Sequence, residues 1–281
     1  MKIGAHISAA GDLSLAPQRA KEVGCECFQF FSRPPQGGRT KPLTTKVISS
    51  FKANLKKYNQ SECYIHAPYY INLASSDNRI FYGSISAIRE ELERGSLLGV
   101  KYVMFHLGSA KDLGPAKGIK QVIKGIKEIL KDYTGSTQLL IEMSAGAGAI
   151  IGDTFEEIKK IIDSASLKKY KIGICFDTAH AFASGYDLKD DKAVKKTFSD
   201  FNKILGIKRL KLIHANDSLV ELGSHKDRHA HIGKGLIGKK GFEAIVKMAI
   251  KNKVNLILET PHSLGDDKEL KKDINILKKM R

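Results

Sequence analysis

Gly173-Ile174-Cys175-Phe176-Asp177-Thr178-Ala179-His180 is an apolar run of strand length that ends in a carboxylate, with an imidazole three residues further on. The pattern recurs along nearly the whole chain, in Tyr64-Ile65-His66, Val103-Met104-Phe105-His106 and Leu139-Leu140-Ile141-Glu142. It returns in Leu210-Lys211-Leu212-Ile213-His214 and Leu256-Ile257-Leu258-Glu259. Each run is short enough for a strand, and each ends in a residue type that binds metal. A parallel barrel gathers the carboxyl ends of its strands at one face, and catalytic groups lie there. Residues far apart in sequence can therefore meet at one mouth.

Working outward, eight strand candidates can be placed, at 2–7, 25–31, 62–66, 102–106, 138–142, 171–177, 210–214 and 255–259. Amphipathic helical spacing lies between them, as in Ile85-x-x-Ile88-x-x-x-Leu92 and Ile119-x-x-Val122-Ile123-x-x-Ile126. Asp153-Thr154-Phe155-Glu156-Glu157 has the capping residue and acidic first turn of a helix start, and 267–279 is the last strong helix. Repeating βα units with right-handed crossovers close into an α/β barrel of the (β/α)8 type. A length of 281 residues suits one such domain, 1–281, better than two. The longest irregular stretches, 32–41, 68–78 and 218–239, follow strands and so belong to the catalytic face.

The formal net charge of +17 suits a polyanionic partner such as nucleic acid, although solvated lysines on outer helices give the same number. Cys25, Cys27, Cys63 and Cys175 form no C-x-x-C pair and read as buried reduced thiols, which fits a reducing cytoplasm. The first strand candidate follows Met1 directly, leaving no room for a signal peptide, and no apolar stretch is long enough to span a membrane. The expected location is cytoplasmic.

Nine residues make up the candidate ligand set: His66, His106, Glu142, Asp177, His180, His214, Asp227, His229 and Glu259. All are nitrogen or oxygen donors, which suits Zn²⁺ and also Mn²⁺ or Fe²⁺. Taken singly, a strand-end His is more often a hydrogen-bonded core residue, and a lone Glu is usually paired with Lys or Arg. Together, several carboxylates at one mouth would repel one another and resist ionisation, and bound cations remove that cost. The number of donors exceeds the needs of one zinc. Two or three metals fit better, and adjacent metals suit displacement at a phosphoryl centre.

At these residues the chain resembles the endonuclease IV family of apurinic/apyrimidinic endonucleases. The resemblance is carried by Gly4-Ala5-His6-Ile7-Ser8-Ala9-Ala10-Gly11, by His66-Ala67-Pro68-Tyr69-Tyr70-Ile71-Asn72-Leu73-Ala74 and by Phe105-His106-Leu107-Gly108-Ser109. It continues through Phe176-Asp177-Thr178-Ala179-His180-Ala181-Phe182-Ala183-Ser184-Gly185-Tyr186-Asp187 and His214-Ala215-Asn216-Asp217-Ser218. It ends with Gly223-Ser224-His225-Lys226-Asp227-Arg228-His229 and Leu256-Ile257-Leu258-Glu259-Thr260.

The resemblance implies a TIM barrel holding three Zn²⁺ per chain, with Mn²⁺ admissible at one position. Carried over by motif, one ion takes His66, His106 and Glu142. A second takes Glu142 as a bridge, with Asp177, His214 and Glu259. A third takes His180, Asp227 and His229. The implied enzyme is a zinc-dependent deoxyribonuclease IV acting in base excision repair of damaged double-stranded DNA, as a monomer. It hydrolyses the phosphodiester 5′ to an abasic site, giving a 3′-hydroxyl and a 5′-deoxyribose phosphate. Hydroxide held between the first two metals attacks in line, the third stabilises the leaving oxygen, and Glu142 orients or activates the nucleophile. Tyr69 is the retained DNA contact.

The sequence departs from the family pattern at two places. Gln36 and Gly38 stand where members carry an Arg and a Trp that enter the DNA, leaving Arg33 or Arg39 as substitutes. Met143 follows Glu142 where members carry Asn. His6 reads as support for the ligands, His225 and His231 as phosphate contacts or solvated loop residues, and His262 has no assigned role. Two rivals remain from the residues alone. One is a sugar isomerase or epimerase of the same barrel, which needs fewer ligands. The other is a metal-stabilised nucleic-acid-binding protein without turnover.

Overall fold

The computed structural model describes residues 1–38, 40–261 and 267–281. Eight parallel strands close into a barrel. They are β1 (Ile3–His6), β2 (Cys27–Phe30), β3 (Cys63–His66), β4 (Tyr102–Phe105), β5 (Gln138–Glu142), β6 (Gly173–Asp177), β7 (Leu210–His214) and β10 (Asn255–Leu258), with β10 pairing β1 to complete the circle. The two-residue strands β8 (Asp217–Ser218) and β9 (His229–Ala230) form an antiparallel pair in the loop after β7. Around the barrel run α1 (Ala16–Glu22), α2 (Thr45–Lys57), α3 (Asn78–Leu98), α4 (Pro115–Leu130), α5 (Phe155–Ile162), α6 (Thr178–Ala183), α7 (Asp191–Ile204), α8 (Gly238–Asn252) and α9 (Lys268–Met280). No helix among the described residues is long and apolar enough to cross a membrane.

All eight expected strands are present, most of them shorter than their apolar runs. Residue 25 closes the turn after α1 instead of opening β2, its N–H donating to the Ala20 carbonyl. His106 and Glu259 sit one residue beyond β4 and β10. The expected helix start at 153–157 is capped by Thr154, whose hydroxyl accepts from the Glu157 N–H. The stretch 218–239, read as irregular, contains β9. Its organiser is the buried Asp217 carboxylate, which accepts backbone N–H bonds from Ser218, Gly233, Gly235, Ile237 and Gly238.

The period of a strand explains how the site is built. Side chains alternate between the inside and the outside of the barrel. Ile3, Phe28, Ile65, Val103, Ile141, Ile174, Ile213 and Leu256 belong to the large outer core between barrel and helices. The inner positions form a separate cluster of Cys27, Tyr64, Met104, Leu140, Cys175, Leu212 and Ile257. β1 contributes Gly4 at this level, paired with Cys27 and Ile257. A Cβ at Gly4 would lie 1.7 Å from the Cys27 carbonyl oxygen, so no larger residue fits. Two residues further along each strand the inner position turns polar, giving His6, Gln29, His66, His106, Glu142, Asp177, His214 and Glu259. An apolar plug thus closes the barrel beneath a ring of hydrogen-bonding groups at the carboxyl ends of the strands.

Candidate metal centre

Glu142 is at the middle of the ring and is fully buried. Its Oε2 is 2.9 Å from His66 Nε2, and its Oε1 is 2.9 Å from His214 Nδ1 and 3.8 Å from His106 Nε2. His214 Nδ1 lies 3.1 Å from Glu259 Oε2 and 3.8 Å from Asp177 Oδ2. Potential ligand atoms of His66, His106 and Glu142 fall within 4.8 Å of one another, as do those of Glu142, Asp177, His214 and Glu259. The first two expected ligand groups are therefore assembled, sharing Glu142.

The third group stands beside them. His180 and His229 point their Nε2 atoms at each other across 3.4 Å, and each Nε2 is 3.3 Å from an oxygen of Asp227. Asp177 also joins this group, its Oδ2 lying 3.8 Å from His229 Nε2. Two ring nitrogens and a carboxylate thus converge on one point, a set of donors that suits a divalent cation.

Neighbouring groups fix which nitrogen of His66, His180 and His214 faces inward. His66 Nδ1 donates to the Ala67 carbonyl at 2.6 Å and His180 Nδ1 to the Met143 carbonyl at 3.0 Å, freeing both Nε2 atoms. His214 is turned the other way. Its Nε2 donates to Gln29 Oε1 at 2.8 Å, which leaves Nδ1 toward Glu142, Asp177 and Glu259. Gln29 Nε2 in turn donates to Glu259 Oε1 at 2.6 Å and to His6 Nδ1 at 3.0 Å. Asn216 donates to Asp177 Oδ2 at 2.7 Å and accepts from the Glu259 N–H at 2.8 Å. The donor chemistry, the close spacing and the oriented tautomers all fit bound divalent metal.

The electrostatics agree. Burial works to raise Glu142, but His214, His106 and His66 hold its carboxyl well below the usual range. Glu259 is likewise held low against burial by His214, His6 and His66. Burial opposes the ionisation of Asp227, yet His180 and His229 bring it to about 2. Burial works to lower His180, and the carboxylates of Asp177, Asp227 and Glu142 outweigh it, raising the ring to about 10. In the metal-free ring, protons on imidazoles balance the carboxylates, and a divalent cation would take their place. Cys175, one level below, is pushed up to about 12 by burial and stays a neutral thiol.

Several residues outside the ligand set have specific places. His6 packs on Phe31 with ring centres 4.4 Å apart and belongs to none of the ligand groups. Tyr69 is exposed beside the mouth, its ring meeting Phe31 edge-on at 5.1 Å. Arg33 does not face solvent. Its side chain is 7% exposed and forms ion pairs with Glu90 and Glu91 of α3, so its guanidinium is occupied within the protein. Arg39 and His262 lie outside the described residues. Met143 turns its side chain into the outer core and uses its carbonyl to orient His180. His231 donates to the buried Asp273 of α9 at 2.7 Å, and His225 is exposed near Gly146. Sequence reasoning passed over Gln29 and Asn216. The signal for Gln29 was available, as the single polar residue inside the run Phe28-Gln29-Phe30, two positions after an inner Cys27.

Residues 17–280 match the model of the xylose isomerase-like TIM barrel family. The probable endonuclease 4 of Halothermothrix orenii is 38% identical over 99% of this chain and 100% of its own. The crystal structure of endonuclease IV from Thermus thermophilus superposes with a TM-score of 0.86 at 28% identity, covering 100% of this chain and 98% of that one. A D-tagatose 3-epimerase-like protein superposes with a TM-score of 0.75 at 22% identity, covering 100% and 97%, a likeness of fold alone. With a full-length relative at that identity and the donor ring in place, the chain belongs to the endonuclease IV family.

Proposed function

We propose that this chain is a DNA-repair endonuclease that hydrolyses the phosphodiester 5′ to an abasic site in duplex DNA, leaving a 3′-hydroxyl and a 5′-deoxyribose phosphate. The carrying observation is the third donor group of His180, His229 and Asp227, joined through Asp177 to the two groups that share Glu142. A sugar epimerase reading accounts for a smaller ligand set and leaves this group without a task. Three Zn²⁺ would be held by His66, His106 and Glu142, by Glu142, Asp177, His214 and Glu259, and by His180, Asp227 and His229, with Mn²⁺ admissible at one position. Bound there, the ions supply hydroxide at neutral pH and neutralise charge on the phosphate.

The protein's own groups do the rest. Glu142, desolvated and ionised between two donor groups, orients the attacking water and accepts its hydrogen bond. Gln29 and Asn216 hold His214, Asp177 and Glu259 in register, so that the site is set before substrate arrives. Tyr69 offers an exposed ring at the mouth on which an unpaired nucleotide stacks. Lys226 and Arg228 are exposed on either side of Asp227 and suit contact with phosphate. The enzyme acts as a monomer of one domain.

The test is cleavage of a labelled duplex carrying one tetrahydrofuran abasic analogue, which cannot undergo β-elimination. Zinc-loaded protein is expected to leave a single nick on the 5′ side with an extendable 3′-hydroxyl. Intact duplex after incubation with metal-replete protein would overturn the reading. Binding is expected to weaken steeply with salt, and a flat response would remove the backbone contacts from the account.

A further inference from the structure

A buried charge network connects α3 to the mouth of the site. Glu91 is 0% exposed and holds Arg33 together with the Ser32 hydroxyl, at 2.6 Å for the latter. Arg94, also buried, donates to Ser32 Oγ at 2.7 Å, to the Ser32 carbonyl at 2.7 Å and to the Lys41 carbonyl at 3.0 Å. One guanidinium therefore ties both ends of the 32–41 stretch. Arg33 continues the network, with the Tyr70 side chain among the groups that favour its charged form. From the same stretch, the Pro35 carbonyl accepts the Tyr69 N–H at 3.0 Å. Tyr69 and Tyr70 are themselves 66% and 42% exposed.

Burying three charges is costly, and apolar replacements of a buried triad are often as stable or more so. Stability is thus a poor reason for its presence, and geometry is a better one. We propose that the Arg33–Glu91–Arg94 triad is a positioning device, which sets the loop after β2 and through it the Tyr69–Tyr70 pair for gripping the duplex. Arg33 acts through its loop, whose Pro35 carbonyl holds the Tyr69 N–H, and does not itself touch DNA. The inference rests on the reading of this mouth as a DNA-binding face. It differs from a general structural role because it predicts a loss in substrate capture with the chemistry intact.

Two variants test it. Arg94→Lys keeps a charge beside Glu91 but lacks the fork that spans Ser32 and Lys41. The triple variant Arg33→Met, Glu91→Leu, Arg94→Met removes all three charges at similar volume. Each is assayed metal-replete on the tetrahydrofuran duplex and on bis(p-nitrophenyl) phosphate, a diester with no duplex to grip. KM for the duplex is expected to rise about tenfold with kcat within about twofold, since ordering of the loop is then charged to binding. Turnover of the small diester should match the unmodified protein. Hydrogen exchange over residues 67–73 supplies a readout free of activity, and the Tyr69 amide should exchange faster in both variants. An unchanged KM in a folded variant, or equal losses on both substrates, would overturn the proposal. Should the triple variant fail to fold, Arg94→Lys decides alone. If the unmodified protein does not cut the duplex, the functional reading fails, and exchange at residues 67–73 still decides whether the triad sets the loop.

Discussion

The two ends of the barrel handle buried and half-buried carboxylates in opposite ways. At the amino end, Glu62 is bound by Lys101 at 2.8 Å and Lys2 at 3.4 Å, and Glu26 by Arg281 at 2.7 Å. At the carboxyl end, the ion pairs of Glu142, Asp177, Asp227 and Glu259 among the described residues are all to imidazoles. Lys and Arg carry fixed charge, so the amino end is a permanent structural closure. Imidazole, unlike ammonium or guanidinium, can surrender its proton to a competing divalent cation and bind it. The same fold therefore seals one end with ammonium and guanidinium groups and leaves the other able to exchange protons for cations.

The largest expected effect lies at the carboxyl end. Glu142→Gln keeps the shape and removes the charge shared by two donor groups. Cleavage of the abasic duplex should fall by at least about 10²-fold, with an unchanged circular dichroism spectrum. Near-normal turnover by a metal-replete variant would take Glu142 out of the mechanism.

Between the two ends lies the plug, and Gly4→Ala probes it. A methyl group has no room against the Cys27 carbonyl, 1.7 Å from the ideal Cβ position. We expect a loss of about 3 kcal/mol in unfolding free energy by denaturant titration. A neutral result would mean that the plug yields and does not set the height of the ring above it.

Gln29→Leu tests orientation with every ligand left in place. It removes the partner of His214 Nε2 and a hydrogen bond to Glu259. Affinity for Zn²⁺, measured by chelator competition, should fall about 10–100-fold. Unaltered affinity would show that the strand alone fixes the His214 ring.

The smallest effect is on the metal-free protein as pH rises. The folded value of His180, about 10, lies above its ordinary 6.5. Its pairing with carboxylates therefore stabilises fully below about 6.5 and is lost as pH climbs toward 10. Asp227 is shifted down to about 2 from an ordinary 3.8, so its contribution is present above that value and lost in acid. The melting temperature of the apoprotein should drop by about 5 °C between neutral and alkaline pH. Metal-loaded protein should show no such drop, because the cations replace those protons. Parallel curves for the two forms would place the titrating group elsewhere.

The barrel was legible because each strand is a short apolar run, and the donors stood at the run ends where a parallel barrel collects them. Runs buried on both faces hide the two-residue alternation. For that reason the inner plug, the role of Gly4 and the inward aim of Gln29 emerge only when the register is known. The fate of Arg33 was hidden for a different cause. Its partners Glu90 and Glu91 lie on α3, and nothing in the sequence near Arg33 announces them. The double membership of Asp177, adjoining both the second and the third donor groups, is likewise a product of folding. The irregular stretch 218–239 gained its order from one buried carboxylate, Asp217, whose five amide partners lie up to 21 residues away.

The most direct test is element-resolved metal analysis of the protein purified without chelator and dialysed against metal-free buffer. Three equivalents of tightly held divalent metal per chain, predominantly zinc, are expected, falling to about two in His180→Ala. A value below one equivalent after zinc loading would contradict the assignment of the carboxyl-end ring as a metal centre.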